Sequence, residues 1–337
     1  MRRLLLSGLA VALLAWARPA RAQVTLRLAT VAPDGSGWSK ELRAFAQVVS
    51  RRTDGRVRVR WYWGGVAGTE TAVAARIARH QLDGTASGGM MCSQVMPTMR
   101  VFRVVGTFQS RDEAAYVADR LRPQLISEAR KAGFEMLGYS GLGPAVIFSR
   151  KPIRTMKELE VARFWAWGLD DVAAAVERRM GLTPVPLPLA EGAHAFEKGK
   201  IDAFYVIPSA ALAFQWFSLA PNITDLRGDF LIGCVLITQR AVDRISPADR
   251  RALREEANRL AMRVDELGRR DDAALLGGVF ARRGVRTIEV SRQFRAQFFD
   301  AARRARKGLP EEIVPGPLLR SVQRMLGDYR AEHAVAE

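Results

Sequence analysis

The hydrophobic and polar residues in the first part of the chain follow two alternating periods. Runs in which every second residue is apolar predict strands, and runs with an apolar residue every three or four positions predict helices. Their order is strand, helix, strand, helix, strand, which predicts an α/β lobe with right-handed crossovers. The predicted elements are Val24–Thr30, Trp38–Arg52 with Ser36 as its N-cap, Arg56–Trp63, Thr71–Gln81 and Leu82–Ser87.

The same alternation returns after a long predicted helix, Arg111–Lys131, and predicts a second α/β lobe. Strands Phe134–Gly138 and Ala145–Ser149 come first, with a turn expected at Gly141 and Gly143 between them. The elements that follow are Arg163–Trp167, Asp170–Met180, Pro184–Leu187, Glu191–Lys198, Ile201–Val206, a strand Phe230–Arg240 that returns to the first lobe, a long helix from Pro247 to about Arg270 capped by Ser246, and helices Ser291–Lys307 and Leu318–Glu332.

One short sequence occurs in similar form in both predicted lobes. Leu82–Ala86 reads L-D-G-T-A and Ile201–Tyr205 reads I-D-A-F-Y, and each follows a predicted helix. In both, an apolar residue and an aspartate begin a short strand. The repeat indicates that the two lobes are related.

The first 22 residues have the three parts of a secretory signal peptide. Arg2 and Arg3 give a basic start, Leu4–Ala17 is an uncharged apolar run, and small residues precede a cleavage point after Ala22. The run is too short for a stable membrane span. We therefore predict cleavage before Gln23 and a mature protein in the periplasm.

The chain is basic, with a formal net charge of +17 over 337 residues. Removing the four arginines of the predicted signal peptide leaves +13. The arginines are interleaved with acidic residues along the predicted helices, without a compact basic run, so the pattern favours solvated helix faces over nucleic-acid binding. Attraction to an anionic membrane surface or an acidic partner is a second interpretation.

The chain has two cysteines, Cys92 and Cys234. A disulfide could form in an oxidising compartment, but both residues lie in apolar surroundings that also suit buried free thiols. The sequence leaves both possibilities open.

No catalytic or metal-binding constellation stands out. The three histidines, His80, His194 and His333, have no metal-ligand spacing. Ser140 lies in a sequence similar to a nucleophile elbow, but Leu142 occupies the position of the second glycine. The sequence therefore predicts a protein that is not an enzyme and that has no cofactor or metal site.

Several blocks of sequence together resemble the DctP-type solute receptors of tripartite ATP-independent periplasmic (TRAP) transporters. They are L-A-T-V-A-P-D-G-S-G-W from Leu28, the glycine turn at Gly64–Thr69, K-P-I at Lys151, P-V-P-L-P from Pro184, and S-P-A-D-R-R-A-L from Ser246. The resemblance implies the bilobal, type II-like periplasmic binding protein fold, with two α/β lobes joined by hinge strands and braced by a long C-terminal helix. The predicted boundaries are 23–148 plus 233–265 for lobe I, 149–232 for lobe II, and 266–337 for a helical segment packing across both.

The chain departs from the family pattern at three places. The family usually has L-K-G-L-K-I-R-V, with an arginine that clamps a substrate carboxylate, and here Trp165 stands at the arginine position. Tyr205 and Val206 stand where a Glu-Asn pair is frequent, and Arg103–Phe108 replaces an L-P-F run. A carboxylate buried without its cation is poorly compensated, whereas indole and phenol rings offer apolar contact area. The departures therefore favour an apolar, aromatic or cationic cargo.

The resemblance also implies partners: a small-molecule ligand, the membrane subunits of a TRAP permease and, as in a subset of the family, a tetratricopeptide-type periplasmic protein. Two alternatives stay open, a carboxylate receptor that uses Arg163 as its cation and a permease-independent carrier or sensor of lipid-like molecules. The residues predicted to line the cleft are Trp165, Tyr205, Arg163, Trp38, Trp63, Met90, Met91, Gln94, Phe148, Pro208 and Phe214.

Overall fold

The computed structural model describes residues 23–334 and has the predicted bilobal α/β architecture. The predicted signal peptide lies outside the described residues. Nine strands of the described chain form one mixed sheet. They are β1 (Val24–Thr30), β2 (Val57–Tyr62), β3 (Gly84–Ser87), β4 (Phe134–Ser149), β5 (Arg163–Trp167), β6 (Thr183–Leu187), β7 (Ala203–Val206), β8 (Asn222–Thr238) and β9 (Arg286–Ile288).

The α-helices cover both faces of this sheet. They are α1 (Gly37–Arg52), α2 (Glu70–Ala78), α3 (Met90–Val95), α4 (Arg111–Lys131), α5 (Met156–Val161), α6 (Asp171–Arg179), α7 (Gly192–Glu197), α8 (Pro208–Ala213), α9 (Gln239–Asp243), α10 (Pro247–Ala274), α11 (Phe280–Arg282), α12 (Arg292–Arg306) and α13 (Gly316–Ala334). Ser36 and Ser246 cap α1 and α10 as predicted, since their side chains accept hydrogen bonds from the backbone amides of Ser39 and Asp249.

The strand order in the sheet is β2-β1-β3-β8-β4-β7-β5-β6, and β9 pairs with β8. Strands β1, β2 and β3 belong to lobe I and run parallel to one another. Strands β5, β6 and β7 belong to lobe II and are also parallel. The two lobes therefore repeat one arrangement on either side of β8 and β4.

The long strands β4 and β8 run through both lobes and connect them. The first part of β4 pairs with the end of β8 that lies beside β3, and its last residues pair with β7. The turn predicted at Gly141 and Gly143 is wrong, because β4 continues through both glycines. A break in register between these glycines interrupts the ladder instead, so the glycines permit a bulge within one strand.

Helix α10 braces the two lobes. It packs against α1 and β4 on the lobe I side and against α8 on the lobe II side. The segment that follows contacts both lobes: Arg179 of α6 donates to the Ala305 carbonyl at 2.9 Å, and Arg330 pairs with Glu113 of α4 at 2.7 Å. These contacts are those expected of a C-terminal segment packed across the lobes, while the exact residue boundaries of the lobes stay a prediction.

A disulfide joins Cys92 of α3 to Cys234 of β8, with the two Cα atoms 6.0 Å apart. The structure thus selects the disulfide from the two possibilities that the sequence left open. Cys234 lies opposite Ser87 in the β3–β8 ladder, so the bridge lies within lobe I. None of the described helices combines the length and the apolar character that a membrane crossing requires.

Candidate ligand-binding cleft

A cavity of about 180 Å³ lies between the two lobes. In lobe I it is lined by the residues at the carboxyl ends of β1 and β3, and in lobe II by the equivalent ends of β5 and β7. Ligands of open α/β sheets bind outside the carboxyl ends of the parallel strands, where loops and helix starts converge. Helix α10 closes one side of the cavity with Ala257, Leu260, Ala261 and Val264.

The lobe II wall of this cavity is aromatic. Trp165 and Trp167 project from the same face of β5, and their ring centroids are 6.4 Å apart. Trp216 meets Trp165 edge to face at 4.9 Å, and it stacks on Phe204 of the lobe core at 4.4 Å. Phe214 extends the wall at 5.5 Å from Trp216. Ring-to-ring packing therefore fixes the shape of this wall before any ligand arrives.

The floor of the cavity is ionic. Arg103 ends the 3-10 segment that follows α3, and its guanidinium donates twice to Asp170, with an Nε–Oδ2 distance of 2.9 Å. Asp170 also caps α6, because its side chain accepts from the Ala173 amide. The second carboxylate, Asp229 of β8, lies 3.9 Å from Arg103 Nη1. Burial alone would lower the pKa of Arg103, but the two aspartates outweigh it and raise that pKa.

Two more polar side chains face this floor without side-chain hydrogen bonds to other described residues. Glu177 of α6 is 8% exposed, and its Oε2 has no partner in the described part of the chain. Burial, reinforced by Asp170, raises the pKa of Glu177 to about 8. Tyr205 of β7 lies beside it, and burial followed by the charge of Asp229 raises its pKa well above the ordinary value. Burial likewise raises the pKa of Asp229 to about 6, against the lowering effect of Arg103.

The predicted cleft residues divide into two groups. Trp165, Tyr205, Trp38 and Phe214 line the cavity. The others lie elsewhere: Trp63 stacks on Trp61 beneath Arg43, Met90 and Met91 are buried in lobe I, Gln94 is exposed beside a smaller separate cavity, and Phe148 and Pro208 are buried in the core of lobe II.

Arg163 lies outside the cavity, at the amino end of β5, while the cavity lies at the carboxyl end. Its guanidinium pairs with Asp202 at 2.8 Å and its side chain is 44% exposed. Lobe I contains the same arrangement: Arg27 of β1 pairs with Asp83, and in each lobe the aspartate amide donates to the arginine carbonyl at 2.8 Å. The pair thus joins the first strand of each lobe to the residue that precedes the third, and both aspartates belong to the repeat found in the sequence.

Sequence reasoning missed the ionic floor. In the sequence, Arg103 is notable only as part of a run that departs from the family pattern. Glu177 lies in a predicted helix, and the sequence does not say which face of that helix points into the cleft. Asp170 carried one signal, since an aspartate before a helical pattern is a capping residue. Its second role, as the partner of an arginine about 70 positions earlier, depends on how the lobes pack.

The model of the family "bacterial extracellular solute-binding protein, family 7" (DctP) matches residues 28–310. This match covers most of the chain and agrees with the blocks from Leu28 to the C-terminal helices. The chain belongs to this family. The resemblance to DctP-type receptors is thereby confirmed, and the family is one of solute-binding proteins, not of enzymes.

Curated relatives and solved structures agree with this membership. A solute-binding protein of Sulfitobacter sp. (strain NAS-14.1) is 24% identical over 276 residues, covering 81% of this chain and 83% of the relative. The sugar acid binding protein of Advenella mimigardefordensis, solved with galactonate, has a TM-score of 0.84 at 18% identity and covers 91% of this chain and 99% of its own. A TRAP periplasmic solute-binding protein of Haemophilus influenzae, solved with L-gulonate, has a TM-score of 0.82 at 17% identity, covering 90% and 100%.

Proposed function

We propose that this family 7 protein is a periplasmic receptor that captures a small hydrophobic or aromatic molecule in the cavity between its lobes and delivers it to a TRAP-type permease. The observation that carries the proposal is the nature of the cavity. Its lobe II wall is built from tryptophans, and its one lysine or arginine among the described residues, Arg103, already donates to Asp170 and lies 3.9 Å from Asp229.

The charge of the floor disfavours an acidic cargo. A clamping arginine must offer free donors to a ligand carboxylate, and Arg103 has one, Nη1, but this guanidinium is surrounded by Asp170, Asp229 and Glu177. An incoming carboxylate would meet Asp170 and Asp229 in a buried site of low polarizability, where like charges repel strongly, while Glu177 stays protonated near neutral pH. The tryptophan wall instead favours an apolar ligand, because each large apolar side chain that a ligand fully covers contributes roughly 1.5–3 kcal/mol to binding.

A carboxylate receptor is the second candidate, since the two solved relatives above were crystallised with sugar acids. In this chain the candidate cation for such a role, Arg163, lies at the far end of β5 and is occupied by Asp202. A carboxylate receptor that used Arg163 would therefore have to break that pair, and one that used Arg103 would have to bind at Nη1, which lies 3.9 Å from Asp229.

Native mass spectrometry of freshly purified protein tests the proposal first, because a bound cargo would appear as a mass shift. We expect a small apolar molecule. Trp165→Ala should then weaken its binding by about 1–3 kcal/mol in calorimetry. Trp63→Ala is the matched control, since Trp63 lies outside the cavity. Trp165→Arg should abolish the binding, and tight binding of succinate by the wild type, unaffected by Trp165→Ala, would contradict the proposal.

The delivery step has its own test. A TRAP receptor requires membrane partners, so the gene should lie beside genes for two multi-spanning membrane proteins. A tetratricopeptide-type periplasmic protein would be a further partner, and a gene for one nearby would support it. A gene that stands without membrane partners would instead favour the permease-independent carrier or sensor.

A further inference from the structure

We propose that the ionic floor of the cavity binds the protonated amine of the ligand, so that the cargo is a small aromatic or alkyl amine held between Glu177 and the tryptophan wall. This inference rests on the proposed function, because it names the class of molecule that the same cavity takes. It starts from the unpaired buried carboxyl of Glu177 and from the aromatic rings that line the same cavity.

The first observation is a charge imbalance. The floor contains one guanidinium and three carboxyls, so full ionisation leaves two negative charges in excess. Arg103 satisfies Asp170 through two hydrogen bonds and approaches Asp229, but it has no hydrogen bond to Glu177. A buried anion without a partner costs several kcal/mol, a cost that the Glu177 carboxyl avoids only by staying protonated while the cavity is empty. A ligand cation would supply the missing partner.

The second observation is that two unpaired oxygens of the cavity, on Glu177 and Tyr205, can accept hydrogen bonds from a cation, while Arg103 Nη1 and Trp165 Nε1 are unpaired donors in the same cavity. Glu177 Oε2 is buried, lines the cavity and has no hydrogen-bond partner among the described residues. The Tyr205 oxygen is buried beside it without a partner side chain in the described chain. An ammonium group has three donors and no acceptor, so it matches these two oxygens. Four tryptophans line the same cavity, and tryptophan ring faces attract cations.

The charged groups around Glu177 determine how binding depends on protons. Asp170, Asp229 and Arg103 face it across the floor, and Arg178 follows it on α6. With the cavity empty, burial and Asp170 keep Glu177 protonated near neutral pH, since they raise its pKa to about 8. An arriving ammonium reverses this balance, so Glu177 should release its proton as the amine binds.

Three probes with one apolar body separate the possibilities: 2-phenylethylamine, 2-phenylethanol and 3-phenylpropanoate. They carry a cation, a neutral hydroxyl and an anion on a similar phenylalkyl group. We expect calorimetry at pH 7 to show the amine bound at least about tenfold more tightly than the alcohol, and the anion more weakly than both. Titrations in buffers of different ionisation enthalpy should show release of up to about one proton with the amine only.

Glu177→Gln keeps the shape of the side chain and removes its charge. It should weaken amine binding about tenfold, abolish the proton release, and leave the alcohol within about twofold. Glu160→Gln, on the exposed surface of α5, is the control and should change none of these values.

The outcomes separate this inference from the proposed function. If the alcohol binds as tightly as the amine, the amine site is overturned while the apolar receptor stands. If Glu177→Gln keeps the preference for the amine, the amine site is also overturned. If 3-phenylpropanoate binds most tightly, or if no probe binds, both the amine site and the apolar receptor are overturned.

Discussion

The two lobes share one scaffold and contribute different side chains to the cavity. In each lobe an arginine of the first strand pairs with the aspartate before the third strand, which fixes equivalent positions. Counting from these pairs, Trp167 corresponds to Val31 and Tyr205 corresponds to Ala86, and all four line the cavity. At these strand ends lobe I thus presents small side chains and lobe II presents large aromatic ones.

This difference assigns separate tasks to the lobes. Small residues at the strand ends of lobe I leave space, while the rings of lobe II define the shape and chemistry of what fills it. Lobe I also holds the disulfide, and its Asp83 is fully buried among Arg27, Arg240 and Arg244. Lobe II holds its equivalent pair, Arg163 and Asp202, at the surface. We interpret lobe I as the more rigid platform and lobe II as the lobe that sets specificity.

The largest expected effect is the loss of the disulfide of lobe I. Cys92 and Cys234 are separated by 142 positions, so the bridge removes much chain entropy from the unfolded state. Replacing both by serine should lower the free energy of unfolding by about 2–4 kcal/mol, measured by denaturant titration. Wild-type protein under a reducing agent is the control. If the oxidised wild type and the double serine variant were equally stable, the interpretation of lobe I as the more rigid lobe would be contradicted.

Next comes the matched pair of aspartates. Asp83→Asn should destabilise by about 1.5–3 kcal/mol, because it weakens buried charge-assisted hydrogen bonds to Arg27 and Arg244. Asp202→Asn changes the equivalent site on the exposed side of lobe II and should cost less than about 1 kcal/mol. Thermal unfolding of both variants measures the difference. If Asp83→Asn and Asp202→Asn lost similar amounts of stability, the interpretation of lobe I as the more rigid lobe would be contradicted.

The sequence predicts the scaffold better than the cavity. Periodicity and caps predict α1, α4, α10 and most strands, because these depend on local patterns. The repeated aspartates indicate that the two lobes are related, but their pairing with Arg27 and Arg163 is seen only in the structure. The glycines of β4 mislead, since a glycine suits a turn and a bulge equally. Arg103 and Glu177 have no local pattern at all. They meet only because two lobes pack against each other, and periodicity carries no information about that contact.

The pH dependence of stability compares one buried carboxyl from each lobe. Burial raises the pKa of Glu177 in lobe II to about 8, and burial opposed by a hydrogen bond from Ser87 raises the pKa of Glu70 in lobe I to about 7. The unfolded chain releases both protons near pH 4.3. The folded protein binds more protons between these values, so its free energy of unfolding should fall as pH rises through that window.

Each group contributes at most about 1.4 kcal/mol per pH unit to this slope. Asp229 adds to it in the same direction up to about pH 6. Denaturant titrations at pH 5, 6, 7 and 8 measure the slope, and Glu177→Gln should flatten it between pH 7 and 8, whereas Glu70→Gln should flatten it mainly below pH 7. An unchanged slope in Glu177→Gln would mean that this carboxyl is not held protonated by its surroundings.

The smallest effect tests a single hydroxyl group in each part of the cavity. Tyr205 of lobe II has a buried hydroxyl without a side-chain partner in the described chain, whereas the hydroxyl of Tyr139, on the lobe I end of β4, donates to Asp119 at 2.6 Å. Tyr139→Phe should therefore cost about 0.5–1.5 kcal/mol of stability, and Tyr205→Phe should be neutral or stabilise by less than about 1 kcal/mol. Thermal unfolding gives both values. A loss in Tyr205→Phe as large as in Tyr139→Phe would mean that the Tyr205 hydroxyl supports the fold, and its proposed availability to a ligand would then be wrong.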